Sequence, residues 1–160
     1  MTTLNVATCV LIRGGRILLT QRMPPRDFLF CWECPGGKVQ SGERQYDAAA
    51  RELDEEVGLR VADNDINGGI DRLFTQRVDL ADHRTIYLDF YLFRRVQGTL
   101  RPCESQGIGW FTVDEMFKLV RTPGNRAAAV KLADIMRWKP DATELLLEEL
   151  PIPFVVGKAP

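Results

Sequence analysis

The stretch GKVQSGERQYDAAARELDEEVGL, residues 37–59, decides how this chain reads. A glycine opens it, Glu43 follows in a polar loop, and Arg51, Glu52, Glu55 and Glu56 fall on one run of helical periodicity. Tyr46, Ala49, Ala50, Leu53 and Val57 gather on one side of that helix, with the three later glutamates about 120° away. Spacings of three and four residues put those carboxylates on a shared face. There they repel by roughly 1 kcal/mol per pair in water, and by about 4 kcal/mol at an effective dielectric of about 20 for charges about 4 Å apart. They also oppose the helix dipole, which favours cations near the C-terminal end. A fully solvated face carries such a cluster at small cost, and a bound cation turns the cost into a gain. Oxygen donors without a partnering histidine suit a hard ion, Mg²⁺ or Mn²⁺. Gly58 is the residue expected just past the helix end.

At 160 residues the chain is long enough for one domain with its own core. An apolar content of 45% and a charged content of 27% are ordinary for a soluble globular protein. A net charge of −1 gives no electrostatic case for nucleic-acid polymers or a membrane surface. No apolar run is long enough to span a bilayer, and MTTLNVATCVLI lacks the basic start of a signal peptide while alternating like a strand. A cytoplasmic location is the expectation.

Cys31 and Cys34 have C-x-x-C spacing, which invites a redox or zinc reading. Their setting, FLFCWECPGG, is apolar and extended, so the odd offset sends the two thiols to opposite faces, and no helix follows them. Four buried free thiols, with Cys9 and Cys103, are expected instead. The single histidine, His83, reads as a loop residue in VDLADHR.

Residues 4–12 and 16–22 read as strands of a hairpin around Gly14-Gly15. A loop is expected over 23–30 and a break in regular structure at Pro35-Gly36-Gly37. Strands follow at 70–79 and 85–96, the second aromatic and central, with a loop at 80–84. A short extended piece at 108–111 precedes helices at 113–120 and 126–138. The order predicts a mixed α/β domain over 1–138 with its sheet covered on both faces. Residues 139–160, rich in proline around ELLLEEL and PFVV, form an extension that either docks on the domain or contacts a second subunit.

Gly37, Glu43, Arg51, Glu52, Leu53, Glu55, Glu56, Gly58 and Leu59 match every fixed position of G-x5-E-x7-R-E-U-x-E-E-x-G-U, U being bulky aliphatic. The chain thereby resembles the Nudix hydrolase family, which implies an α/β/α sandwich with a mixed sheet. The implied reaction is hydrolysis of a nucleoside diphosphate linked to another moiety, with Mg²⁺ or Mn²⁺. On that resemblance Glu55 and Glu56 hold the metal with help from the Gly36 carbonyl, and Glu52 is either a ligand or a general base. Arg51 pairs with Glu43 and orients the helix.

Trp32–Lys38, WECPGGK, resembles the W-E-F-P-G-G-K run of MutT-type nucleoside triphosphate pyrophosphohydrolases, with Cys34 where phenylalanine lies beside the base pocket. Glu104, in CESQGIGW, falls where those enzymes carry a further metal-ligating glutamate; the alternative is an exposed loop glutamate. Asn125 falls where they read a purine edge, which suits an amide, and equally where it could cap the helix at 126–138. Arg22 resembles a phosphate-contacting arginine, the alternative being a surface arginine.

The implied substrate is a small nucleotide. A triphosphate such as 8-oxo-dGTP would go to the monophosphate and pyrophosphate by attack of water on the β-phosphorus. The alternatives are a nucleotide-sugar pyrophosphatase of the ADP-ribose type and a catalytically silent nucleotide-binding module. Either a monomer or a homodimer is compatible with the sequence.

Overall fold

The computed structural model describes residues 2–22, 31–61, 71–104 and 107–138. The elements run β1 (Thr2–Val10), β2 (Ile12–Arg13), β3 (Arg16–Gln21), β4 (Trp32–Glu33), β5 (Gly36–Lys38), α1 (Gln45–Val57), β6 (Leu59–Val61), β7 (Asp71–Asp79), β8 (Arg84–Leu92), β9 (Val96–Gly98), β10 (Gly107–Phe111), α2 (Val113–Leu119) and α3 (Pro123–Trp138). One sheet has the order β5-β1-β8-β7, with β1 and β8 parallel and the other pairs antiparallel. A second has the order β10-β3-β2 with β4 on β3, and β6 pairs β9. The sheet is mixed, and β8 is central as its aromatic, β-branched run predicts.

Strand alternation builds two cores. Ala7, Cys9, Leu11, Tyr91 and Phe93 pack with Ala48, Ala49, Leu53 and Val57 of α1. Val10, Ile12, Phe90 and Leu92 point the other way, onto Met116 of α2 and Ala128, Ala129 and Leu132 of α3. Helices therefore cover both faces, the α/β/α arrangement. Gly14 and Gly15 turn the first hairpin with φ of 54° and 68°, a left-handed pair that glycine adopts without strain.

Several expectations are corrected. Pro35-Gly36-Gly37 does not end regular structure: Gly36–Lys38 is strand β5, paired in the register Val6↔Lys38, Ala7↔Gly37, Thr8↔Gly36. The glycines permit close approach, since a Cβ at Gly36 would stand 2.4 Å from the Ala7 carbonyl oxygen. α3 starts three residues earlier than predicted, because Pro123 in its first turn needs no intrahelical partner for the N–H it lacks. The run 85–96 divides into β8 and β9, the latter leaving the main sheet to meet β6. Cys103 is exposed, while Cys9, Cys31 and Cys34 are buried and free. His83 sits in the turn before β8 with φ 65°. The loop expected over 23–30 and the extension 139–160 lie outside the described residues. No helix among the described residues is long and apolar enough to cross a membrane.

Candidate active site

α1 presents the acidic cluster, and Arg51 organises it. Its Nε and Nη2 donate to the two carboxylate oxygens of Glu43 at 2.8 and 3.1 Å. Nη1 donates to Glu52 at 2.7 Å and to Glu55 at 2.9 Å, and Nη2 also reaches the Lys38 carbonyl at 3.2 Å. One guanidinium thus holds three carboxylates and ties α1 to the end of β5. The Arg51 fork, with the Gln40 N–H, holds the Glu43 carboxyl below its ordinary range. Gly37 belongs to this geometry: a Cβ there would fall 2.2 Å from Glu52 Oε1.

Glu56 differs from its neighbours. Only 7% exposed, it sits on the core side of the cluster rather than on the polar face. Burial first, then the charges of Glu33 and Glu52, push its carboxyl up to about 8; the Gly36 N–H and the Thr20 hydroxyl, 3.3 Å away, offset this in part. Among the described residues no cationic side chain is recorded against Glu56, so ionising this buried carboxyl beside two others is costly until a cation joins it. An all-oxygen donor set around such charge fits a hard divalent cation. Among the described residues no three Asp, Glu, His or Cys side chains stand in ready ligating geometry.

A cleft of about 770 Å³ opens beside the cluster. Glu52, Glu33, Arg22, Gly36 and Gly37 line its charged end, and Leu4, Val6, Ile86, Leu88 and Val78 its apolar floor. Cys34, Thr122, Gly124 and Asn125 line it as well. Of the residues singled out in sequence, the cleft gathers Arg22, Cys34, Gly36, Glu52 and Asn125. Glu43 and Arg51 stand behind as supports. Glu104 is exposed and is not among the lining residues; its loop is anchored where the Cys103 N–H donates to the Glu56 carbonyl at 2.9 Å.

Asn125 is not the helix cap. It lies inside α3, 5% exposed, with its amide turned to Thr122 and to the Cys34 backbone. Arg22 is not a free surface arginine: its Nη1 donates to both Glu33 oxygens, at 2.8 and 2.6 Å, while its buried Nε has no partner among the described residues. Glu33 was missed in sequence, although an acidic residue inside the apolar extended run FLFCWEC was a signal for it. The Cys34 thiol is pushed up to about 12 by burial and by the Glu33 charge, so it remains protonated.

A mixed sheet thus lies between helices, and a glutamate-rich helix edges a cleft that the Asn125 amide also lines. The NUDIX domain profile matches residues 1–133, and the chain belongs to the Nudix family. It is 34% identical over 128 residues to "Putative 8-oxo-dGTP diphosphatase 2" of Mycobacterium tuberculosis, covering 80% of this chain and 86% of that one. It is 30% identical over 125 residues to the "CTP pyrophosphohydrolase" of Escherichia coli, covering 78% and 87%. The solution structure of the E. coli ORF135 protein superimposes with a TM-score of 0.73 at 26% identity, covering 88% of this chain and 96% of that one.

Proposed function

We propose that this protein is a Nudix pyrophosphohydrolase that cleaves a nucleoside triphosphate to the monophosphate and pyrophosphate, with an oxidised purine such as 8-oxo-dGTP as preferred substrate. The observation that carries this reading is that Glu52 of the α1 cluster and Asn125 line one and the same cleft. The relatives named for 8-oxo-dGTP and CTP support a triphosphate over a nucleotide sugar.

Glu52, Glu55, Glu56 and the Gly36 carbonyl would hold the divalent ion, Mg²⁺ or Mn²⁺, with Glu104 as a further donor. When bound, that ion neutralises phosphate charge and lowers the barrier to attack by water. Arg51 keeps Glu52 Oε1 engaged, which leaves Glu52 Oε2 to bind the ion or to take the proton of the attacking water. Arg22 exchanges Glu33 for a phosphate oxygen when the triphosphate enters, and the Glu33 charge keeps it in place beforehand. The aliphatic floor of β1, β8 and β7 seats the base, and Asn125 offers its edge a donor and an acceptor.

Incubation with dNTPs, CTP, 8-oxo-dGTP and ADP-ribose in Mg²⁺, with products resolved by chromatography, tests the reading. Monophosphate plus pyrophosphate is expected, fastest from 8-oxo-dGTP. AMP plus ribose phosphate from ADP-ribose as the main activity would replace it with the nucleotide-sugar reading. Binding with no turnover of any compound would make the protein a silent module. Glu52→Gln is expected to lower kcat by about 10²-fold or more with unchanged unfolding.

A further inference from the structure

Asn125 reaches the cleft with its side chain already engaged at both ends. Its Nδ2 donates to Thr122 Oγ1 at 2.9 Å, and its Oδ1 accepts from the Cys34 backbone N–H at 3.4 Å. The two partners come from separate parts of the fold. Thr122 immediately precedes α3, whereas Cys34 lies between β4 and β5. A backbone N–H can only donate, so the carbonyl end of the amide faces Cys34 and the nitrogen end faces Thr122. A primary amide carries two N–H groups and two carbonyl lone pairs. One N–H and one lone pair are therefore committed, and one of each remains on the same plane.

The start of α3 is also held close to the sheet. A Cβ at Gly124 would stand 3.1 and 3.2 Å from the Leu88 methyl carbons and 3.4 Å from Val78 Cγ2. Leu88 and Val78 belong to the apolar floor of the cleft, so the absence of a side chain at 124 sets how near the Asn125 amide comes to whatever lies on that floor.

We propose that Thr122 is a specificity-positioning residue: its hydroxyl, acting with the Cys34 N–H, locks the Asn125 amide in one orientation, so that a single N–H and a single carbonyl lone pair are presented to the base edge. This rests on reading the cleft as the nucleotide site. The locked pair suits a base edge that offers one acceptor beside one donor. Guanine oxidised at C8 has that edge, O6 beside N7–H, whereas intact guanine offers two acceptors, N7 and O6. An unlocked amide could flip and serve other edges, so the lock acts on the ratio between bases rather than on the chemistry at the phosphates.

The test compares wild type, Thr122→Val, Thr122→Ser and Asn125→Ala, measuring kcat/KM for 8-oxo-dGTP, dGTP and CTP, with Tm as control. Valine preserves shape and removes the acceptor, so the ratio between the best and second-best base should fall about threefold to tenfold. Serine should keep the wild-type ratio. A role confined to starting the helix would shift Tm and leave every ratio unchanged in Thr122→Val, which overturns the proposal. Should valine unfold the protein, Thr122→Ala removes the same hydroxyl and is read the same way. If Asn125→Ala alters the ratios and the Thr122 variants do not, the positioning role fails while the reading of the cleft survives. If Asn125→Ala alters none, that base-edge reading fails and the positioning role with it.

Discussion

The guanidinium of Arg51 clasps Glu43 through two hydrogen bonds, 2.8 and 3.1 Å long, across the loop that separates β5 from α1. Both partners are mostly buried, with side chains 23% and 16% exposed. That places the pair well above an exposed ion pair in worth, and it is the clamp from which Glu52 and Glu55 are held.

Replacing Glu43 by glutamine keeps the shape and removes the charge. The variant should lose about 1–3 kcal/mol of stability at neutral pH, read by urea unfolding. Because Glu43 is held below its ordinary range in the fold, its contribution is present above the unfolded carboxylate's pKa and disappears as pH falls through the lower folded value. The gap between wild type and Glu43→Gln should therefore narrow as the pH drops below about 4. A gap that stays constant into that range would deny the pair its charge-dependent role.

Glu56 has the opposite sign. Its folded carboxyl is raised to about 8 by burial and by Glu33 and Glu52, so the fold favours its protonated form. Stability from this group is full below the unfolded pKa of about 4.3 and is lost as pH climbs through 8. Glu56→Gln should thus raise the metal-free Tm above pH 8 and scarcely change it near pH 5. The same variant should lose the Tm increase that Mg²⁺ gives the wild type. An unchanged alkaline Tm, or an undiminished Mg²⁺ effect, contradicts this account.

Gly36 and Gly37 should fail differently when each becomes alanine. At Gly36 the new Cβ meets backbone, the Ala7 carbonyl oxygen at 2.4 Å, which cannot yield without parting β5 from β1. A loss of about 1–3 kcal/mol is expected in denaturant. At Gly37 the obstacle is the movable Glu52 side chain. There the damage should fall on kcat, with unfolding little altered. Equal effects of the two substitutions on stability and on kcat would dismiss the distinction.

Arg22→Ala should raise KM for the triphosphate about tenfold or more and leave kcat nearly unchanged, if its contact is kept through the reaction. Steady-state kinetics at saturating Mg²⁺ reads this directly. A fall in kcat at constant KM would move Arg22 from substrate binding to transition-state stabilisation.

How much of this was legible in the sequence depended on distance along the chain. The α1 carboxylates were visible because helical periodicity is local, and the central place of β8 followed from its aromatic, β-branched run. The burial of Glu56 was not visible: it needs β5 and Thr20 of β3 beside the helix, and neither is near it in sequence. Gly36-Gly37 looked like a break because glycine weakens a strand, yet here β1 supplies the partner and demands the missing side chains. Arg22 and Glu33 meet only through the β3–β4 register, Thr20↔Glu33 and Gln21↔Trp32, which no local pattern announces. The helix expected over 126–138 was placed three residues late, because Pro123 suits a first-turn position. The Asn125 amide could not be oriented until Cys34, distant in sequence, was placed against it.

Cys34 puts a sulfur atom in the wall of the cleft, and the thiolate, not the thiol, is the form that attacks a peroxide. Burial and the neighbouring Glu33 keep that sulfur protonated far beyond neutral pH, and burial, then the Glu56 charge, push the Cys9 thiol up while it donates to the Ala49 carbonyl. If a nucleotide oxidised on its base is what this cleft takes, as proposed above, the oxidants that made it are present too. A thiol held protonated is slow to react with them.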